Sequence, residues 1–258
     1  YEYEKDGTVT AVLESGERVH GDVLIGADGI WSAVRAGMRG EPAKGAGSGV
    51  SYSGYTVFAG ELTYNAASTP SDIGPDPACG YKVYIGPNQY FVITDIGRGR
   101  YQWYAFLARE EGSEQSEPKP DGVSPYLQGL FEGWSEEALD ILRATKEHEI
   151  EQRDLYDRPP SVLKPWTQGR VALLGDAIHA MMPNLGQGGC QSTEDGYRLA
   201  EELATVQHTK QTAGALGSYS RKRVFRTSIV QGFAQLGSDL LVDFDLMMTI
   251  PLIGPFFL

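Results

Sequence analysis

The sequence predicts a mixed α/β fold, and three stretches carry that expectation. Val171 to Leu174 is a short apolar run of the kind a buried strand shows. It stops at Gly175-Asp176, and a turn-rich segment through Gly186-Gln187-Gly188-Gly189 leads to a helical pattern from Cys190 to Gln207. Between residues 52 and 108, aromatic and β-branched runs parted by Gly, Pro and Asn read as an antiparallel or mixed sheet. The third stretch is a long helical pattern from about Ala215 to Val242. A strand that gives way to a carboxylate, a glycine-rich turn and a helix suits a bound cofactor. The carboxylate accepts from a ribose hydroxyl, glycines let the backbone approach a flat ring, and the free N–H groups of a helix start face negative charge.

Taken in order, Thr8 to Leu13 is strand-like, Glu14 to Glu17 is a turn, and Val19 to Ile25 reads as a second strand. That strand ends in Gly26-Ala27-Asp28-Gly29-Ile30-Trp31-Ser32-Ala33-Val34-Arg35, where a short helix is expected to turn Ile30, Ala33, Val34 and Met38 inward. Asp28 stands at the junction, and on Gly26-Ala27-Asp28-Gly29 alone a helix N-cap is the simpler reading than a ligand contact. Glu41 to Gly49 is a Gly/Ala/Pro loop. The strands expected next are Tyr52 to Thr63, Tyr81 to Ile85, Tyr90 to Asp95 and Tyr101 to Ala108. In the last, Tyr101, Trp103 and Ala105 share one face and Gln102, Tyr104 and Phe106 the other. These faces read as core, or as the wall of an apolar pocket. Glu110 to Asp121 is acidic and nearly devoid of apolar residues, so a solvated loop is expected.

A helix is expected from Ser135, with Glu136 and Glu137 in its first turn. Arg153-Asp154-Leu155-Tyr156-Asp157-Arg158 reads either as a surface ion-pair cluster or as the crossover returning the chain to its first layer. Leu199, Leu203 and Val206 give the helix after the glycine-rich turn an inward face, and Tyr219, Arg223 and Arg226 share one side of the last helix. From Leu240 the chain is strongly apolar, yet two aspartates and two prolines make a poor membrane-spanning segment. That end packs against the body or rests in a membrane surface.

Composition excludes several classes. With 258 residues the chain can bury a real core, and a net charge of -12 argues against a nucleic-acid partner, which needs clustered Lys and Arg. Cys79 and Cys190 lie far apart and show no metal-ligand spacing, and His20, His148, His179 and His208 are scattered, so no metal site is expected. His179 reads as a structural hydrogen-bonder rather than a general base. There is no G-x-S-x-G elbow, no G-x-x-x-x-G-K-[ST] loop and no G-x-G-x-x-G fingerprint. The chain opens in mid-pattern, which reads as the cut end of a longer protein, and missing targeting signals therefore carry no information.

Gly26 to Arg35, together with Gly175-Asp176-Ala177-Ile178-His179 and Pro183-Asn184-Leu185-Gly186-Gln187-Gly188, resembles the paired second and third motifs of the FAD-dependent aromatic-ring hydroxylase superfamily. Tyr52-Ser53-Gly54-Tyr55-Thr56, Gln102 to Phe106, Arg153 to Arg158 and Asn184 to Cys190 are similar, more finely, to the zeaxanthin epoxidase family. Cys190 stands where the wider superfamily usually has Asn after Gly-Gln-Gly-x. The resemblance implies the C-terminal part of a FAD-binding Rossmann-like domain with an inserted mixed or antiparallel β-sheet substrate domain and C-terminal helices. Its segments would be residues 1–40 with the second motif, 41–165 as the substrate domain, 166–210 with the third motif, and 211–258 as the helical end. It also implies that a first βαβ unit with the dinucleotide fingerprint precedes Tyr1, and that the appended domain of plant members is absent after Leu258.

The activity so implied is epoxidation of a carotenoid ring double bond by FAD and molecular oxygen through a flavin hydroperoxide, with NADPH or reduced ferredoxin as electron donor, in a plastid. Hydroxylation of a small aromatic substrate and a degenerate, non-catalytic fragment are the alternatives. By the same resemblance Asp176, with Gly175, holds the FAD ribose or pyrophosphate region. The backbone of Gly186, Gln187, Gly188 and Gly189 faces the pyrimidine end of the flavin, and Pro183 and Gly186 position the oxygen-bearing edge. Asp28, Gly29 and Arg35 assist the cofactor phosphates. The substrate is lipid-soluble, and the apolar end would allow peripheral membrane association.

Overall fold

The computed structural model describes residues 1–63 and 80–242. Within them the chain divides into two units. The first holds Tyr1–Ser53 and Tyr156–Ser238, and the second holds Gly54–Leu155 with the helical residues from Asp239. The structure is the expected mixture of α and β elements.

In the first unit, β1 (Glu2–Tyr3), β2 (Val9–Val12) and β3 (Arg18–Gly21) form one antiparallel sheet in that order. A second sheet has the order β10 (Thr167–Gln168), β11 (Val171–Leu173) and β4 (Leu24–Gly26). The single strand expected over Val19 to Ile25 is therefore two strands in two sheets. The Gly21-Asp22 turn parts them: β3 pairs antiparallel with β2, while β4 pairs parallel with β11. Leu24 N–H donates to the Arg170 carbonyl at 3.0 Å, which starts the new pairing.

The helices α1 (Ala33–Arg39), α5 (Asp176–His179), α6 (Gly188–Ala204) and α7 (Thr212–Val242) complete the first unit's elements, α7 running on past Ser238. Val171, Ala172 and Leu173 are buried on both faces, as the apolar run requires, and pack with Met38, Trp166, Ile178, Leu199, Leu216 and Tyr219.

The second unit is built on the order β6 (Tyr81–Gly86), β7 (Gln89–Gly97), β8 (Arg100–Ala108), β5 (Ser51–Thr63) and β9 (Ile150–Asp157). Its first three pairings run antiparallel. The alternation read in β8 holds: Tyr101, Trp103 and Ala105 enter a core with Phe58, Phe91 and Leu107. That core is closed by α3 (Val123–Leu130) and α4 (Glu136–Ala144). Burying one such phenylalanine contributes roughly 1.5–3 kcal/mol. Trp103 satisfies its indole N–H on Thr145 Oγ1 at 2.8 Å, at the C-terminal end of α4.

The charge-dense stretch before Pro159 is the end of β9, so the crossover reading is the one realised. The acidic stretch from Glu110 differs from expectation. It contains α2 (Ser113–Ser116), and Glu114 on it is buried, accepting from Arg109 Nε at 2.9 Å and Tyr126 Oη at 2.8 Å. Lys119 stands 3.5 Å from the same carboxylate and lies over the Tyr126 ring. One inward carboxylate gathers the surrounding cations, and composition alone hides that. Cys79 and the apolar end from residue 243 lie outside the described residues, and no described helix is long and apolar enough to cross a membrane.

Candidate cofactor site

The two glycine-and-aspartate corners meet through strand pairing. Gly26 stands opposite Leu173 in the parallel register of β4 and β11, and Leu174 N–H donates to the Gly26 carbonyl at 3.0 Å. Gly26 to Gly29 and Leu174 to Asp176 therefore leave the carboxyl ends of neighbouring parallel strands. In open α/β sheets that is where ligands bind. The close approach depends on Gly26: a Cβ there would stand 2.6 Å from Leu173 Cδ2 and 2.8 Å from Val34 Cβ.

Gly175 takes φ 60° and ψ -145°, a backbone conformation nearly reserved for glycine, and opens α5. Asp176 follows as an exposed residue, and its carboxylate makes no hydrogen bond or ion pair among the described residues. It is free to accept from a ligand. Ala177 and Ile178 beside it are buried in the core and anchor the turn.

Pro183–Leu185 forms a single 3-10 turn ended by Gly186 at φ 62°, and Gln187 precedes α6 without a side-chain cap. Among the described residues no side chain caps the first N–H groups of this 17-residue helix. A Cβ at Gly186 or Gly189 would meet nothing within 4 Å, and one at Gly188 would touch only Met181 Cγ at 4.0 Å. Space, open donors and the positive end of a long helix coincide there, which suits an electron-rich ring or an anionic group.

Asp28, Gly29 and Arg35 differ from these. Asp28 accepts from Ser32 Oγ at 2.5 Å and from Val34 N–H at 3.1 Å, so its carboxylate serves the start of α1. Gly29 takes φ 77° and accepts from Ser32 N–H through its carbonyl. Arg35 is 4 % exposed, donates to the Ser48 carbonyl at 2.9 Å and is ion-paired with Glu41. Arg158, also buried, donates to the same carbonyl at 2.7 Å and to that of Ile30. Burial, then the neighbouring Arg35 charge, pushes the Arg158 guanidinium down to about 10, and Arg39 is lowered to about 10 by burial followed by the same charge. The Gly/Ala/Pro loop is accordingly tied down at Ser48 by two arginines.

Sequence reasoning missed what lies behind the third motif. Asp195 is fully buried: its Oδ2 accepts from Gly175 N–H at 2.9 Å and lies 2.6 Å from His179 Nε2. Its Oδ1 accepts from Arg223 Nε at 2.7 Å, and Arg223 also donates to Gln191 Oε1 at 2.8 Å. Burial works to raise the Asp195 carboxyl, but His179, the Gly175 N–H and Arg223 outweigh it and hold it below its ordinary value. The signal available was spacing: Asp195 stands four residues from both Gln191 and Leu199, on the inward face of α6 that Leu199 and Leu203 mark. His179 is the structural hydrogen-bonder expected. On α7, Tyr219 and Arg223 are buried whereas Arg226 is exposed and pairs with Glu194.

Comparison with known proteins places this geometry. The chain is 41% identical over 237 residues to a zeaxanthin epoxidase, chloroplastic, of Oryza sativa subsp. japonica, covering 89% of this chain and 33% of that protein. It is 42% identical over 237 residues to the zeaxanthin epoxidase, chloroplastic, of Arabidopsis thaliana, with the same coverage. It thus spans about a third of the length of these curated relatives. Among solved structures, Klebsiella pneumoniae HpxO complexed with FAD and uric acid superposes with a TM-score of 0.77 at 26% identity, over 93% of this chain and 56% of that one. The sequence pattern of the FAD binding domain family matches residues 2–231, and the chain belongs to that family.

Proposed function

We propose that this chain is the FAD-holding part of a monooxygenase that epoxidises the ring double bond of a carotenoid, converting zeaxanthin to antheraxanthin and violaxanthin in a plastid. One observation carries the cofactor half of this reading. An exposed, unpartnered Asp176 and an open glycine cradle stand on the third motif, whose strand is paired in parallel with the strand of the second. The substrate and the compartment rest on likeness to the chloroplastic zeaxanthin epoxidases.

FAD fits the residues present, and when bound it supplies the activation of molecular oxygen. Asp176 would hold the ribose or pyrophosphate region of FAD as an acceptor, with Gly175 setting its direction. The N–H groups at Gly188 and Gly189, at the positive end of α6, favour negative charge on the ring, an effect worth up to ~2 kcal/mol in a partly buried geometry. Pro183, Gly186 and Gln187, which set the backbone path into α6, would carry it along the ring edge. Asp28, Gly29 and Arg35 hold the second corner in shape, so their influence on the cofactor phosphates passes through the backbone they support. The alkene substrate has no phenolic proton to remove, and this chemistry asks no general base of His179. NADPH or reduced ferredoxin delivers the electrons, and the apolar end of the chain brings the protein to a lipid-dissolved substrate by peripheral contact.

The test uses the full-length protein. It should purify with flavin absorbance and convert zeaxanthin to its mono- and diepoxide. A colourless protein that does not take up added FAD would sink the flavin reading. A flavoprotein that ignores zeaxanthin but hydroxylates a small aromatic ring would move it to the hydroxylases. Asp176→Ala should weaken FAD binding by about tenfold, the scale of one lost hydrogen-bonding partner.

A further inference from the structure

Behind the third motif lies a polar network that the proposed flavin contacts do not use. Asp195 on α6 is fully buried, and one of its oxygens addresses both ends of α5: the Gly175 N–H at 2.9 Å and His179 Nε2 at 2.6 Å. Asp176 stands between these two ends, with its side chain outward. The second oxygen takes Arg223 Nε at 2.7 Å from α7, and Arg223 is itself fixed by the Gln191 side chain at 2.8 Å and its carbonyl at 3.2 Å.

We infer that Asp195 is a positioning residue for the cofactor turn, clamping Gly175 and His179 so that Asp176 between them is held toward its ligand. This rests on the reading in which Asp176 contacts FAD.

The shortness of α5 and the apolar packing around it favour positioning over mere cohesion. α5 is one turn long, and a four-residue helix has no stability of its own, so its geometry is set by what grips it. Cohesion is already supplied: Ala177 and Ile178 sit in the apolar core with Leu173 and Leu199. A buried, ionised carboxylate is an expensive way to add more, since well-packed apolar groups join elements at least as strongly. What apolar packing cannot do is fix the direction of an N–H and an imidazole at once. Two elements, α5 and α7, meet this carboxylate of α6, and what it fixes is the conformation of the turn from Gly175 to His179.

The test is a double-mutant cycle on the FAD dissociation constant of the full-length protein, from Asp176→Ala, Asp195→Asn and the pair. Coupling between sites appears as non-additivity, whereas independent effects multiply. Each single change should weaken FAD by about tenfold, and the pair by scarcely more than the worse single. The visible flavin spectrum of Asp195→Asn should shift as well. Unchanged FAD affinity in Asp195→Asn, or losses that multiply in the pair, would overturn the inference while leaving the Asp176 contact standing. Unchanged affinity in Asp176→Ala would instead remove the flavin contact and the inference with it. Should Asp195→Asn fail to fold, His179→Gln and His179→Leu replace it in the cycle. Gln retains a donor toward Asp195 and should keep FAD affinity near that of the parent, while Leu should lose it. Equal affinities in the two overturn the proposal.

Discussion

Two glycines of the third motif should respond to alanine in opposite ways. At Gly175 the backbone has φ 60° and ψ -145°, and an added Cβ would stand 2.9 Å from Ser192 Oγ. Holding a non-glycine residue in that conformation costs of order 1–3 kcal/mol. Ser192 cannot move without loss, because its hydroxyl donates to the Gly188 carbonyl at 2.9 Å, a bond worth about 0.5–1.5 kcal/mol. Together these make Gly175→Ala destabilising by roughly 2–4 kcal/mol, which lowers the melting temperature by about 10 °C at ~2–4 °C per kcal/mol. Gly189 lies in the first turn of α6 with open space around its Cα, so alanine there should leave stability equal or raise it by up to ~1 kcal/mol. Its methyl group would stand in the cradle and weaken FAD. Thermal unfolding of the flavin-free protein and FAD titration separate the two effects. A Gly175→Ala melting temperature within 1–2 °C of the parent, or a loss at Gly189 as large as at Gly175, would refute the reasoning.

Three further expectations follow from the described contacts. Glu114→Ala leaves Lys119 and Arg109 without their buried carboxylate and should cost about 3–5 kcal/mol in denaturant unfolding; a change under ~0.5 kcal/mol would mean the stretch is solvated after all. The Asp195 carboxyl is held below its ordinary value, so its contribution to stability is complete above the unfolded value of about 3.9 and fades as pH falls through the lower folded one. The stability gap between the parent and Asp195→Asn should therefore shrink as pH falls below about 3.9; a gap that widens there contradicts the assignment. Cys190 is an exposed free thiol on the first turn of α6, 3.9 Å from the Gly186 carbonyl. In a Cys79→Ser background, saturating FAD should slow its alkylation severalfold, and an unaltered rate would mean the cofactor does not cover that turn.

How far the sequence could be read depended on where each signal lives. Strand alternation and the apolar run at Val171 are local, and β5 to β8 and β11 lie within a few residues of where the pattern put them. The division at Asp22 was invisible because it depends on which distant partner each half of the apolar run finds: β2 for one, β11 for the other. The second and third motifs were legible through resemblance to a known family, and their meeting through Gly26 and Leu173 follows from strand pairing. The commitments of Asp28 and Arg35 were not legible, since a carboxylate and a guanidinium look alike in sequence whether they face a ligand or a neighbouring backbone. Glu114 and Asp195 were hidden because composition does not show which charges turn inward: Glu114 is surrounded by the nearby Arg109 and Lys119 and by Tyr126 of α3, and Asp195 by Arg223 of α7.

The latch around Arg158 has a consequence for how this region can drift. Ser48 offers its carbonyl to two guanidinium groups, Ile30 offers its carbonyl to one of them, and Gln231 reaches the carbonyls of Arg158 and Ala180. Every acceptor in this set is main chain, so the side chains at positions 30, 48 and 180 are irrelevant to it. Substitution pressure on these bonds therefore falls on the donors Arg35, Arg158 and Gln231, and on Glu41 through its ion pair with Arg35. Within the loop from residue 41 to 50, the constrained positions are then Glu41, which pairs with Arg35, and the glycines at positive φ, with Gly49 packed against both guanidinium groups.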